Sequence, residues 1–211
     1  MTKIYIVRHC EAMGNINDVF QGITDLDITE TGAEQLKYLE KRFDGIRLDK
    51  VYTSPLLRAC KTALAVIGNK NLKPIVDKDL IEINLGVFEG KPFSETFKSV
   101  EGLYDIWNNH IEDLNPQGGE SMKSVYERAW KTVKKIASDN RGKTVVCSTH
   151  GAFVRCLICR LLKNDISKIS EIPWSENTAV SLIEFDSELN PTVAFYNDIS
   201  HLPDGLFYPC K

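Results

Sequence analysis

KTVVCSTHGAFVRCLICRLL, residues 143–162, opens with a short apolar, β-branched run, passes through one histidine and continues into a segment with helical apolar spacing. Residues 143–149 read as the most clearly buried strand of the chain and 151–162 as a helix, so His150 falls at the carboxyl end of a strand. Near the N-terminus, IYIV (4–7) is another β-rich run, and it is followed at once by Arg8, His9 and Cys10. The same alternation fills the interval. TETGAEQLKYLEKRF (29–43) has a threonine in the capping position and helical spacing at Leu36, Leu39 and Phe43. VYTS (51–54) reads as a strand that leads through Pro55 into the amphipathic helix LLRACKTALAVIG, and PIVDKDL (74–80) as a strand and a turn. Residues 121–139 form the longest helical segment, and TAVSLIEFD and TVAFYND close the series as two strands joined through Asn190 and Pro191. Strands alternating with helices of about ten to fifteen residues predict an α/β fold, a three-layer α/β/α sandwich with a mostly parallel central sheet and one antiparallel edge.

The length of 211 residues suits one domain over 1–211 with a continuous core. There is no internal repeat, low-complexity segment or linker. Residues 91–118 (KPFSETFKSVEGLYDIWNNHIEDLNPQG) are polar and aromatic with weak periodicity, and they read as a lid-like excursion over the sheet. With 26 basic and 29 acidic residues the net charge is −3, so no global field is available for nucleic acid or an anionic membrane, and any anion must be held locally. No apolar run approaches the ~20 residues that span a bilayer, and the N-terminal apolar stretch is too short for a signal peptide. A cytoplasmic protein is expected. The sequence leaves the oligomeric state open and admits a homodimer.

Cys10, Cys60, Cys147, Cys156, Cys159 and Cys210 are scattered, which favours free thiols over a disulfide framework. Cys156 and Cys159 form a C-x-x-C, but it lies within a helical apolar stretch and has no second pair to complete a zinc site.

The four histidines are His9, His110, His150 and His201. His9 and His150 follow the two most convincing strands, and the carboxyl ends of neighbouring parallel strands face one crevice. A lone strand-end histidine is commonly structural; two in matching positions point to function. Arg8 precedes His9, and Arg58 stands at a helix start in SPLLRACKT. Guanidinium forks and free helix N–H groups suit a phosphate, and together the two arginines describe an oxyanion pocket, although for either arginine alone a surface carboxylate is the preferred partner. His201, in the closing segment ISHLPDGLFYPCK, reads as packing or capping.

The chain resembles the histidine phosphatase superfamily, in the branch of cofactor-dependent phosphoglycerate mutases and fructose-2,6-bisphosphatases. RHCEAMGN matches its first signature at Arg8, His9, Glu11 and Asn15, and QGITDLDITETGAEQ matches a second stretch that includes Gln21 and Gly22. SPLLRACKTA carries Arg58, LIEINLGVFEG carries Glu82, STHG carries His150 and Gly151, and NPQGGES also fits. The resemblance covers nearly the whole chain and implies a phosphoglycerate mutase-like fold.

It also implies that His9 attacks phosphorus to give a phosphohistidine. Arg8, Arg58 and His150 would stabilise the phosphoryl oxygens, with Asn15, Gln21, Gly22 and Gly151 around the substrate. Glu82 would give the leaving alkoxide its proton and later take one from water. Read without the resemblance, Glu82 is an exposed loop acid, and Glu11 and Glu89 stand close enough in sequence to be confused with it. Neither a metal nor another cofactor is implied, and the partner is a small phosphorylated metabolite. The departure is Cys10, where the family nearly always has glycine. It is not placed as a cysteine-phosphatase nucleophile, because the C-x5-R position holds Ile16 after Cys10 and Phe153 after Cys147.

The expected activity is hydrolysis. A mutase needs cations for a second anionic group, and residues 91–127 contain no arginine, only Lys91, Lys98 and Lys123. The aromatics Phe93, Phe97, Tyr104 and Trp107 suggest a partly apolar lid. A phosphoglycerate mutase, a non-catalytic phospho-ligand binder and a metal-dependent hydrolase with His9, His150 and Glu82 as ligands are the competing readings.

Overall fold

The computed structural model describes residues 1–207, so Cys210 lies outside the described residues. In chain order the elements are β1 (Thr2–Arg8), α1 (Met13–Ile16), α2 (Glu30–Asp44), β2 (Lys50–Thr53), α3 (Leu57–Ile67), β3 (Pro74–Val76), α4 (Phe93–Ser99), α5 (Leu103–Asn109), α6 (Met122–Asp139), β4 (Thr144–Thr149), α7 (Gly151–Leu162), β5 (Val180–Phe185) and β6 (Pro191–Asp198). The sheet order is β3-β2-β4-β1-β5-β6. β3, β2, β4 and β1 pair in parallel, while β5 runs antiparallel to both β1 and β6. The expected antiparallel edge is therefore present, with β5 as the one strand that reverses direction.

Alternation along β1 divides the core between the two faces of the sheet. Ile4 and Ile6 join a cluster with Val125, Ala129 and Val133 of α6 and Phe153 and Leu157 of α7. Val7 turns the other way, into a cluster with Leu39 and Phe43 of α2 and Ala63, Val66 and Ile67 of α3. No helix among the described residues is long and apolar enough to cross a membrane.

Local chemistry sets the helix starts. Thr29 caps α2, its Oγ1 accepting from the Gly32 N–H at 2.9 Å, and its own hydroxyl donates to Glu11 Oε1 at 2.6 Å. Gly32 is buried against the preceding loop: a Cβ there would stand 2.1 Å from the Glu11 carbonyl oxygen. This close approach locks α2 onto the segment that follows β1.

Residues 91–118 hold more helix than their periodicity suggests, because α4 and α5 fold around aromatic contacts rather than along a simple apolar stripe. Phe20, from a distant loop, meets Phe93 at 4.2 Å, Trp107 at 5.0 Å and Phe97 at 5.5 Å between ring centroids. Trp107 in turn stacks on Trp174 at 6.1 Å. At the far end, His201 Nδ1 accepts from Arg42 at 3.0 Å, and Arg42 also pairs with Asp198 at 2.6 Å. Burial, reinforced by Arg42, lowers the His201 pKa to about 4. It packs there as a neutral ring.

Gly32→Ala should lose about 1–3 kcal/mol of unfolding free energy in urea, since the clash is with backbone. Gly45→Ala, at a position with nothing within 4 Å of its Cβ, should stay within about 0.5 kcal/mol of the parent. Equal stability of the two variants would refute the docking role given to Gly32.

Candidate active site

Parallel pairing of β1 with β4 puts Arg8 opposite Thr149, and the His9 N–H donates to the Thr149 carbonyl at 2.9 Å. The chains diverge immediately beyond, where the strand ends face the crevice that sequence reasoning expects. The rings of His9 and His150 meet there with centroids 5.1 Å apart. His9 is 4 % exposed and His150 fully buried.

His9 Nδ1 lies 2.6 Å from the carbonyl oxygen of Cys10. A carbonyl can only accept, so Nδ1 carries the hydrogen, and in the neutral ring Nε2 keeps its lone pair. Burial lowers the His9 pKa well below the usual histidine value; Arg58 and then Arg8 push it the same way, against the opposing Cys10 carbonyl. His150 is lowered as well, first by burial and then by Arg58. Its Nε2 is 2.7 Å from Ser54 Oγ, and its Nδ1 is buried without a hydrogen-bond partner among the described residues.

Arg58 is the second residue of α3 and is 1 % exposed. Its Nη1 donates to the Thr24 carbonyl at 3.0 Å and its Nη2 to the Gly22 carbonyl at 2.7 Å. Those carbonyls are fixed by Glu89, whose carboxylate accepts from the N–H groups of Gly22 (3.2 Å), Ile23 (2.8 Å), Thr24 (3.1 Å) and Leu85 (2.9 Å). Gly22 is required by space, since a Cβ would meet both Glu89 Oε1 and the Ile83 carbonyl at 2.2 Å. Arg8 Nη1 donates to the Ser175 carbonyl.

Glu82 is 7 % exposed rather than a surface acid. Its Oε1 accepts from the Ile83 N–H at 2.9 Å and its Oε2 from the Ala152 N–H, in the first turn of α7, at 3.2 Å. Burial raises its pKa, and this outweighs the lowering by those N–H groups and by Arg58. Glu11 and Glu89 are thereby separated from it, one holding the α2 cap and the other the Arg58 loop.

Cys10 does not require a glycine conformation, as it is not among the residues with positive φ. Its N–H donates to Thr62 Oγ1 at 3.1 Å and its side chain is fully buried. Burial pushes the thiol pKa up to about 12, and the thiol of Cys147 rises for the same reason. Cys156 and Cys159 are separate free thiols, Cys156 3.4 Å from Met122 Sδ and Cys159 3.3 Å from the Asp165 carbonyl. Among the described residues no three His, Cys, Asp or Glu side chains are grouped so as to hold a metal ion.

Above this cluster opens a cavity of about 770 Å³. Arg8, Glu82, Gly151 and Ala152 line it on the side of the strand ends, Asn15 and Gln21 on another, and Phe93, Phe97, Trp107 and Trp174 form an aromatic wall. Arg8, His9, Arg58, Glu82 and His150, far apart in sequence, thus share one electrostatic environment. Gly22, whose carbonyl holds Arg58, is not on the cavity lining, and neither are His9, Arg58 and His150, which lie buried behind it. Ser54, Glu89, Trp174 and Ser175 were not singled out as site residues from the sequence. Ser54 and Glu89 lie inside the quoted motifs, whereas nothing local marks Trp174 or Ser175.

Comparison with known proteins agrees with this arrangement. The sequence profile of the histidine phosphatase superfamily (branch 1) matches residues 4–199. Phosphoserine phosphatase 1 of Hydrogenobacter thermophilus is 33 % identical over 99 % of this chain and 97 % of its own length. A 2,3-bisphosphoglycerate-dependent phosphoglycerate mutase of Mesorhizobium japonicum is 32 % identical over 75 % of this chain and 80 % of its own. The solved structure of YhfR from Bacillus stearothermophilus superposes with a TM-score of 0.88 at 32 % identity, covering 95 % of this chain and 99 % of that one. With its signature residues gathered at the ends of β1 and β4, the chain belongs to the histidine phosphatase superfamily, branch 1.

Proposed function

We propose that the chain is a metal-independent phosphomonoester hydrolase that transfers the phosphoryl group of a small organic phosphate to His9 Nε2 and then to water. The observation that carries this reading is the Nδ1–H contact of His9 with the Cys10 carbonyl, which leaves Nε2 unprotonated beside two guanidinium groups. Attack forms the Nε2–P bond as the ester P–O bond breaks. Arg8, Arg58 and His150 meet the charge on the phosphoryl oxygens, with Asn15, Gln21 and Gly151 around them. Glu82, protonated because it is buried, gives its proton to the departing alkoxide. It takes one back from the water that hydrolyses the phosphohistidine.

Two carboxyl and imidazole groups thus hold opposite protonation states for the same reason, since burial disfavours the charged form of each. Arg8 is the one cation among the described residues that line the cavity, and Lys91, Lys98 and Lys123 are all exposed outside it. This supports hydrolysis over mutase action. The mutase reading keeps the support of the Mesorhizobium relative. The free thiols among the described cysteines favour a cytoplasmic location.

With chelator present, phosphate release from p-nitrophenyl phosphate, O-phosphoserine and other monoesters should be lost in His9→Ala and retained in Cys10→Ala. Release that survives His9→Ala would overturn the assignment. Interconversion of phosphoglycerates without release would favour the mutase. Glu82→Gln should lower kcat/KM about 10²- to 10⁴-fold for an alkyl phosphate, and much less for p-nitrophenyl phosphate, whose leaving group needs no proton.

The pH profile follows from the two shifts. The rate should fall at low pH as His9 gains a proton, through a pKa below the usual 6.5. It should fall again as Glu82 loses its proton, through a pKa above 4.5. A rise in kcat/KM for an alkyl phosphate across alkaline pH would contradict the role of Glu82.

A further inference from the structure

Ser54 follows the last residue of β2 and takes its place from the sheet. Its N–H donates to the Ser148 carbonyl at 3.0 Å, so the pairing of β2 with β4 continues almost to His150. The side chain is fully buried, and its Oγ has two hydrogen-bond partners among the described residues, the Leu56 N–H at 3.3 Å and His150 Nε2 at 2.7 Å. The Leu56 N–H can only donate, which commits one lone pair of Oγ and leaves the hydroxyl hydrogen to be placed.

Burial, and then Arg58, hold the pKa of His150 well below the usual histidine value. The neutral ring carries one hydrogen, and two arrangements are open to it. If Nε2 held the hydrogen and donated it to Oγ, the hydroxyl would accept twice. Its own hydrogen would then be buried without an acceptor, and Nδ1 would be a bare lone pair without a donor among the described residues. If instead the hydroxyl donates to Nε2, both functions of Oγ are satisfied and the ring hydrogen sits on Nδ1. Only the Nδ1–H is then left over. Buried polar groups without partners are costly, so one such group is preferred to two.

The group left over is a donor close to His9. The two rings lie 5.1 Å apart at their centroids, and Gly151, the residue after His150, lines the cavity. His9 and His150 thus carry the same tautomer and present opposite nitrogens. A backbone carbonyl takes the Nδ1–H of His9 and leaves the lone pair of its Nε2. A hydroxyl occupies the Nε2 of His150 and leaves its Nδ1–H for an anion.

We propose that Ser54 is a positioning residue for phosphoryl transfer: its hydroxyl donates to His150 Nε2, keeps the ring hydrogen on Nδ1, and so presents an N–H to the phosphoryl group that His9 receives. The last step rests on the hydrolase reading, whereas the tautomer does not.

The first measurement is made on the unmodified protein labelled with ¹⁵N-histidine, near neutral pH. Proton–nitrogen NMR correlations within the His150 ring, assigned by comparison with His150→Asn, should show a protonated Nδ1 and an unprotonated Nε2. A hydrogen on Nε2 would overturn the proposal whatever the kinetics.

The second is a double-mutant cycle, with chelator present and p-nitrophenyl phosphate as substrate. Ser54→Ala should lower kcat/KM about tenfold to a hundredfold, less than the about 10²- to 10³-fold that loss of an oxyanion donor itself costs. Ser54→Thr, which keeps the hydroxyl, should recover most of that loss. In a His150→Ala background the same Ser54→Ala change should stay within about twofold of His150→Ala alone, because the hydroxyl acts through that ring. A merely structural serine would multiply the two losses, and that result would overturn the proposal. A protein that shows the Nδ1–H yet hydrolyses no phosphomonoester would overturn the hydrolase reading and the use of the Nδ1–H in transfer, and leave the hydrogen bond from Ser54 standing.

Discussion

The placement of His9 beside His150 depends on the parallel pairing of β1 with β4. With Arg8 in register with Thr149, the next residue of each strand is a histidine. Both leave the sheet at its carboxyl edge, where the two chains separate. A slip of one residue would turn every side chain of β1 to the opposite face. Ile4 and Ile6 would lose their cluster with α6 and α7, and Val7 its cluster with α2 and α3. The two hydrophobic cores that hold the fold together are therefore also what fixes the separation of the imidazoles.

Burial then does the electrostatic work. The same water-poor setting lowers the pKa of His9 and His150 and raises that of Glu82. A neutral imidazole and a protonated carboxylic acid can thus coexist over a shared pH range. The guanidinium groups reinforce the first effect and oppose the second, and for Glu82 burial prevails. Cys10 adjoins His9 in sequence, and its pKa of about 12 keeps its thiol protonated. Geometry and titration together set the protonated Cys10 thiol apart from its neighbours, the neutral His9 ring and the cavity-lining Arg8.

Much of this was legible in the sequence, and for identifiable reasons. The strand runs ending in Arg8 and Thr149 announce their own ends, because a charged or imidazole residue follows at once. Thr29 announces its helix by capping it. Arg58 was marked by its place at a helix start, whereas Glu82 was reachable only by resemblance, since nothing local distinguishes it from an exposed loop acid. It is distinguished by the Ile83 and Ala152 N–H groups and by burial, all consequences of tertiary folding. The roles of Ser54 and Trp174 were unreadable because their partners, His150 and Trp107, lie far away in sequence. The helices α4 and α5 were hidden for a similar reason. Each is a seven-residue segment, too short to be stable alone, and both are held by rings converging on Phe20.

The central claim is that His9 Nε2 carries the phosphoryl group. p-Nitrophenyl phosphate is suited to showing this, because its good leaving group speeds the first transfer relative to hydrolysis and lets the intermediate accumulate. Rapid quenching of the reacting protein into alkali, followed by tandem mass spectrometry, should place the phosphoryl group on His9. Its appearance on Cys10 or Glu82, or steady turnover with no phosphorylated residue at any time, would contradict the account.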